Sequence, residues 1–131
     1  MEELINKMNQ EGFIKNNDYE LKEIEDNKVT LIAKVTEKSR NPYGIAHGGF
    51  IFGLGDTAMG IASSLNGRKS VTMNANITYL RPVVGDFLKA EATVIRSGKT
   101  TCYVKADIYD EKDCLMASMD SNYYYIEIER R

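Results

Sequence analysis

Apolar and polar positions alternate along most of this chain, and one helical period interrupts the alternation. Val29, Leu31, Ala33 and Val35 alternate with Thr30, Ile32, Lys34 and Thr36, which predicts a strand over residues 28–37. Tyr19, Leu21 and, less regularly, Ile24 predict its partner over 19–25. Asp26-Asn27 joins the two as a two-residue hairpin turn, without the usual glycine. Four more alternating runs follow. They are Val71, Met73, Ala75, Ile77 and Tyr79 within 70–81; Leu88, Ala90, Ala92 and Val94 within 86–96; Cys102, Val104, Ala106 and Ile108 within 100–109; and Leu115, Ala117, Met119, Ser121 and Tyr123 within 114–128. Turn residues separate them at Val84-Gly85-Asp86, Ser97-Gly98-Lys99 and 110–113. After the second strand, Asn41-Pro42 and Gly44 mark residues 39–46 as a loop. The period then changes: Ile51, Leu54, Ala58, Ile61, Ala62 and Leu65 recur at spacings of three and four. That predicts a helix over 47–66, stopped by Asn66-Gly67. Leu4, Ile5 and Met8 predict a short amphipathic helix over 2–14, with Phe13 and Ile14 near the same face and Gly12 weakening its end.

One long helix among about six antiparallel strands is an α+β design, packed most economically as a curved sheet wrapped around the helix. One helix cannot cover a broad sheet on both faces, so a symmetric dimer is expected to bury the remainder. No repeat or linker divides the chain. Residues 1–131 read as one domain, with an N-terminal helical segment over 1–17.

Composition narrows the function classes. The chain is 43% hydrophobic with a net charge of −2, against disorder and against a basic nucleic-acid module. The apolar stretch from Gly48 to Leu65 is broken by Asp56, Ser63, Ser64 and glycines, so no membrane span is expected. Glu2, Glu3, Asn6 and Lys7 are too polar for a secretory leader. Cys102 and Cys114 are expected to be free thiols, and the protein to be cytoplasmic.

The candidate chemistry lies in Asn41-Pro42-Tyr43-Gly44-Ile45-Ala46-His47-Gly48-Gly49 and in Asp56. His47 is the single histidine of the chain, placed before two glycines at a helix start. The first N–H groups of a helix lack intrahelical partners and carry partial positive charge. Gly48 and Gly49 leave them uncovered for a ligand oxygen, the requirement of an oxyanion hole. Asp56 interrupts the apolar helix, where a carboxylate is costly unless paired or wet, and is read as either a solvent-facing residue or a general base or nucleophile. Nine residues separate His47 from Asp56, about 13 Å of rise and about 900° of rotation, so the two leave the helix on opposite faces. If Gly48 and Asp56 serve one carbonyl, the second must come from another copy of the chain.

The pattern of Asn41, His47, Gly48, Gly49 and Asp56, with Asn76-Ile77-Thr78-Tyr79-Leu80-Arg81-Pro82 and Gly98-Lys99-Thr100 after it, resembles the hotdog-fold acyl-CoA thioesterases. More narrowly it resembles their PaaI-like branch, over roughly residues 30–126. The resemblance implies a long helix wrapped by an antiparallel sheet, and homodimers with two shared sites, often paired as dimers of dimers. It implies that Gly48 N–H polarises the thioester carbonyl, and that Asp56 of the partner activates water or attacks directly. Asn41 would position the thioester, His47 would order the loop, and Thr72 would orient water. Gly49, Met73, Asn74 and Pro82 join the implied substrate-binding set. Arg81, Arg96 and Lys99 are candidates for the CoA phosphates, Arg81 and Lys99 the better two because both lie at strand ends, and Phe50, Phe52, Met59 and Met73 are candidates for an acyl pocket. The reaction needs no cofactor. One histidine and two strand cysteines show no metal-ligand spacing. Gly53-Leu54-Gly55-Asp56-Thr57-Ala58 has the form of a dinucleotide loop, but no βαβ unit surrounds it, and its glycines read as close-packing points. A dehydratase and a non-catalytic acyl-CoA-binding module are the rival readings.

Overall fold

The computed structural model describes residues 1–126. Its elements are α1 (Glu2–Met8), α2 (Gly12–Asn16), β1 (Tyr19–Glu25), β2 (Lys28–Lys34), a 3-10 turn (Glu37–Ser39), α3 (Gly48–Ser63), β3 (Lys69–Tyr79), β4 (Phe87–Ser97), β5 (Thr101–Asp110) and β6 (Leu115–Ile126). The strands form one antiparallel sheet in the order β1-β2-β4-β5-β6-β3. α3 lies across it, against β4, β5 and β2 above all. This is the α+β hotdog architecture: one long helix wrapped by a curved sheet.

The core follows from the alternation. Val29, Leu31, Ala33, Leu88, Ala90, Ala92, Val104, Ala106 and Ile108 are buried against Ile51, Leu54, Ala58, Met59 and Ala62 of α3. Asp26 closes the first hairpin at φ 53°, a left-handed conformation that Asp tolerates better than most residues.

Four expectations are corrected. The N-terminal helix is two short ones, because the chain turns between Met8 and Gly12. β2 stops at Lys34, and Val35 N–H instead donates to Asp86 O at 2.7 Å. Met59 belongs to the core rather than to an acyl pocket, while Ile61 and Leu65 are only partly buried. The run from Val71 to Tyr79 does not form one buried face. A bulge between Thr72 and Asn74 reverses the alternation, and Val71 and Met73 stand 47% and 54% exposed. The part of the predicted last strand beyond Ile126 lies outside the described residues. No helix among the described residues is long and apolar enough to cross a membrane.

Candidate active site

The bulge is what aims Thr72. Before it, Thr72 stands opposite Tyr123 and Ser70 opposite Tyr125; after it, Ala75 pairs with Ser121 and Ile77 with Met119. Tyr123, Tyr125, Ser121 and Met119 are all buried, and cross-strand partners share a face. Both segments of β3 therefore turn their paired side chains toward α3, although the parity changes between them. Thr72 Oγ1 reaches Asp56 Oδ1 at 3.1 Å. The Tyr123 hydroxyl lies 2.9 Å from the same oxygen and 2.9 Å from the Asp56 carbonyl. Among the described residues no donor reaches Asp56 Oδ2. Burial first, and the neighbouring Asp56 charge second, hold the Tyr123 hydroxyl well above the ordinary tyrosine range, so it stays a proton donor. Asp56 and Thr72 open onto a groove of about 720 Å³ that also borders Tyr123, Ile61 and Leu65.

The start of α3 is fixed by its loop. Arg40 donates to the carbonyls of Gly44 and Gly85 and pairs with Asp86 at 2.9 Å. Ala46 N–H donates to Val83 O, and His47 N–H to Ser39 O. His47 caps the helix: its Nδ1 accepts from Gly49 N–H at 2.9 Å. Its carbonyl takes Phe50 N–H and Ile51 N–H. Gly48 N–H is thus the first-turn donor left without a partner among the described residues. The Tyr79 hydroxyl donates to Gly48 O at 2.7 Å, and a Cβ on Gly48 would meet that hydroxyl at 3.1 Å. Asn41 spends its side-chain oxygen on the N–H groups of Tyr43 and Ile45, which leaves its amide nitrogen available.

Asn41, Gly48, Arg81 and Pro82 line a second cavity, of about 260 Å³, on a different part of the surface from Asp56. The structure therefore unites Asp56 with Thr72, and Gly48 with Asn41, but does not unite the two pairs within one protomer. His47 and Gly49 border a third cavity with Phe50. Asn74 is tied to Asn122 and Ser121. Lys99 sits beside the start of β3, where Arg68 donates to its carbonyl at 2.8 Å. Arg81 follows the other end of that 11-residue strand, about 35 Å away by strand geometry. Nothing in the hydrophobic pattern marks Tyr123 or Arg40 as neighbours of Asp56 and of the α3 start. The only available signal for Tyr123 was a hydroxyl on an inward strand position, where it needs a partner. Among the described residues no group of His, Cys, Asp and Glu is arranged to hold a metal.

The thioesterase superfamily profile matches residues 43–117. The acyl-coenzyme A thioesterase PaaI of Escherichia coli is 34% identical over 84 residues, covering 63% of this chain and 60% of that protein. The chain thus spans about three-fifths of that relative's own length. A thioesterase from Haemophilus influenzae shares the fold, with a TM-score of 0.90 at 24% identity, over 98% of this chain and 92% of its own. A hypothetical thioesterase from Streptococcus pneumoniae, solved with coenzyme A, superposes with a TM-score of 0.79 at 28% identity, over 86% of this chain and 88% of its own. That protein has also been solved with an Asp→Ala and, separately, a Thr→Ala substitution, at positions sixteen residues apart. Asp56 and Thr72 have the same separation.

Proposed function

Because this chain belongs to the thioesterase superfamily, we propose that it hydrolyses acyl-CoA thioesters to the free acid and CoA, at sites shared between two protomers. The observation that carries this reading is the Asp56 carboxylate, held through Oδ1 by Thr72 and Tyr123, with no donor on Oδ2 among the described residues, in a residue that lines the groove.

In this mechanism Oδ2 takes a proton from water as the water oxygen bonds to the thioester carbonyl carbon. The developing oxyanion accepts from the partner's free α3 N–H, which the α3 dipole further favours. Collapse breaks the C–S bond, and the proton passes to the departing CoA sulfur. Direct attack by Oδ2, with water then opening the mixed anhydride, uses the same groups. A thiolate leaves readily, so one carboxylate and one N–H suffice. His47 orders the turn, Asn41 offers its amide to the thioester, and Thr72 steadies the carboxylate. Gly49, Met73, Asn74 and Pro82 remain the candidate substrate-binding positions.

Two features support the shared site. Asp56 and Gly48 border different cavities of one protomer. The edge strand β3 and the residue after it leave Val71, Met73, Tyr79 and Leu80 exposed, an unpaired apolar edge of the kind that associates. Arg81 and Lys99, at opposite ends of β3, then serve one CoA only if they come from different copies. A homodimer, and its pairing into a tetramer, belongs to this proposal, as does a single domain over residues 1–131 acting in the cytoplasm.

The test is thiol release from a panel of acyl-CoAs by wild type and Asp56→Asn. General-base loss predicts a fall in kcat of about 10²–10⁴-fold with the fold and CoA-ester binding retained. Wild-type turnover in Asp56→Asn, or no release by the folded wild type, would overturn the proposal.

A further inference from the structure

The groove beside Asp56 has a wall built outside the segment that matches the family. Leu4 and Met8 of α1 line it together with Ile61 of α3, Leu65 just past the end of that helix, and Val71. α1 precedes residues 43–117 entirely. Asp56 is the one charged side chain among the lining residues.

α1 has seven residues, none buried, and Leu4 is 42% exposed. A helix this short does not hold itself together in water, so its position comes from what it is attached to. The attachment is at its C-terminal end. Asn9 donates from Nδ2 to Leu21 O at 3.1 Å and accepts Leu21 N–H on Oδ1 at 2.7 Å, satisfying both backbone groups on the open edge of β1. Ile5 and Met8 add partial packing on the core. Leu4 and Met8, one helical turn apart, share a face, and that face is turned to the groove.

We propose that α1 is the specificity wall of the acyl site, with Leu4 and Met8 selecting an uncharged apolar acyl group longer than acetyl. This rests on the thioesterase reading. An acetyl group would leave Leu4, Met8, Ile61 and Leu65 wet. Each methylene buried among them strengthens transition-state binding by about fourfold. A carboxylated acyl group would bring a second negative charge beside Asp56 with no cation among the lining residues, and would be rejected. Met8 is unbranched and adapts its shape, so the wall grades chain length rather than fixing one shape.

The experiment measures kcat/KM for acetyl-, octanoyl- and succinyl-CoA with wild type, Met8→Trp and Leu4→Gln, checking each by circular dichroism and native mass. Wild type is expected to favour octanoyl- over both acetyl- and succinyl-CoA by more than tenfold. Met8→Trp fills the groove and lowers the octanoyl-to-acetyl ratio at least tenfold. Leu4→Gln, at a half-exposed position that tolerates a polar side chain, lowers it several-fold and serves if Met8→Trp does not fold. A preference for acetyl- or succinyl-CoA, or an unchanged ratio in the folded variants, overturns the inference while Asp56-dependent hydrolysis stands. Absence of thiol release from every ester by the folded wild type overturns both.

Discussion

Tyr123 does for Asp56 what a hydrocarbon at the same place could not. Its buried hydroxyl donates toward Oδ1 and toward the main-chain carbonyl of the same residue, which fixes the carboxylate and leaves Oδ2 without a donor among the described residues. A hydrogen bond to a charged group is worth about 1.5–3 kcal/mol. Part of that is expected to appear in the barrier, because a rotated carboxylate no longer faces the thioester. Tyr123→Phe is therefore expected to lower kcat about tenfold with little change in KM. Steady-state kinetics on the folded variant reads kcat and KM separately. An unchanged kcat would make Tyr123 a packing residue only.

Within α3 the glycines have opposite consequences. A Cβ on Gly55 would collide with the sulfur of buried Met119 and press on Ile108 at 3.2 Å, so the helix lies close to the sheet only because Gly55 has no side chain. A Cβ on Gly60 would meet the Tyr123 hydroxyl at 3.7 Å, an ordinary contact. Gly55→Ala is expected to destabilise by about 1–3 kcal/mol through overpacking, less the gain of about 1 kcal/mol that alanine brings to a helix interior. Gly60→Ala keeps that gain and raises stability. Urea unfolding of the two variants at one protomer concentration reads the difference in sign; equal effects would remove close packing as the reason for Gly55. The β3 bulge at Met73 has comparable reach. It turns Thr72 toward α3 and Met73 outward, and a strand with unbroken alternation would present Val71 and Met73 there instead.

At the scale of the whole molecule, the two halves of the proposed chemistry lie on separate surfaces of one protomer. Mixing inactive Asp56→Ala chains with inactive Gly48→Pro chains is therefore expected to restore activity. Each hybrid dimer contains one intact site, so recovery approaches a quarter of wild-type turnover at statistical exchange. Thiol release after subunit exchange, with exchange followed by native mass spectrometry, measures it. Exchange without recovery would place the whole site within one chain. The exposed apolar edge formed by Val71, Met73, Tyr79 and Leu80 makes the same demand from energetics, because water is a poor neighbour for such a row on an unpaired strand.

The order and type of the main elements were legible in the residues. A period of two and a period of 3.6 are local properties of the chain, and six strands about one helix leave few ways to bury their apolar faces. The Asn41–His47–Gly48–Asp56 pattern was legible for a related reason: helix-start donors and a mid-helix carboxylate are anomalies visible without coordinates. Register was not legible. A one-residue bulge changes which side of β3 faces inward, and nothing in the local pattern marks Met73 as the residue that is passed over. Nor was the neighbourhood of Asp56. Tyr123 reaches it from 67 positions away along the chain, and Leu4 and Met8 reach its groove from a segment without a readable motif. The sequence alone determined what each element would be. Tertiary packing decided which side chains meet, because meeting depends on register and close approach between distant segments, and no local period encodes either.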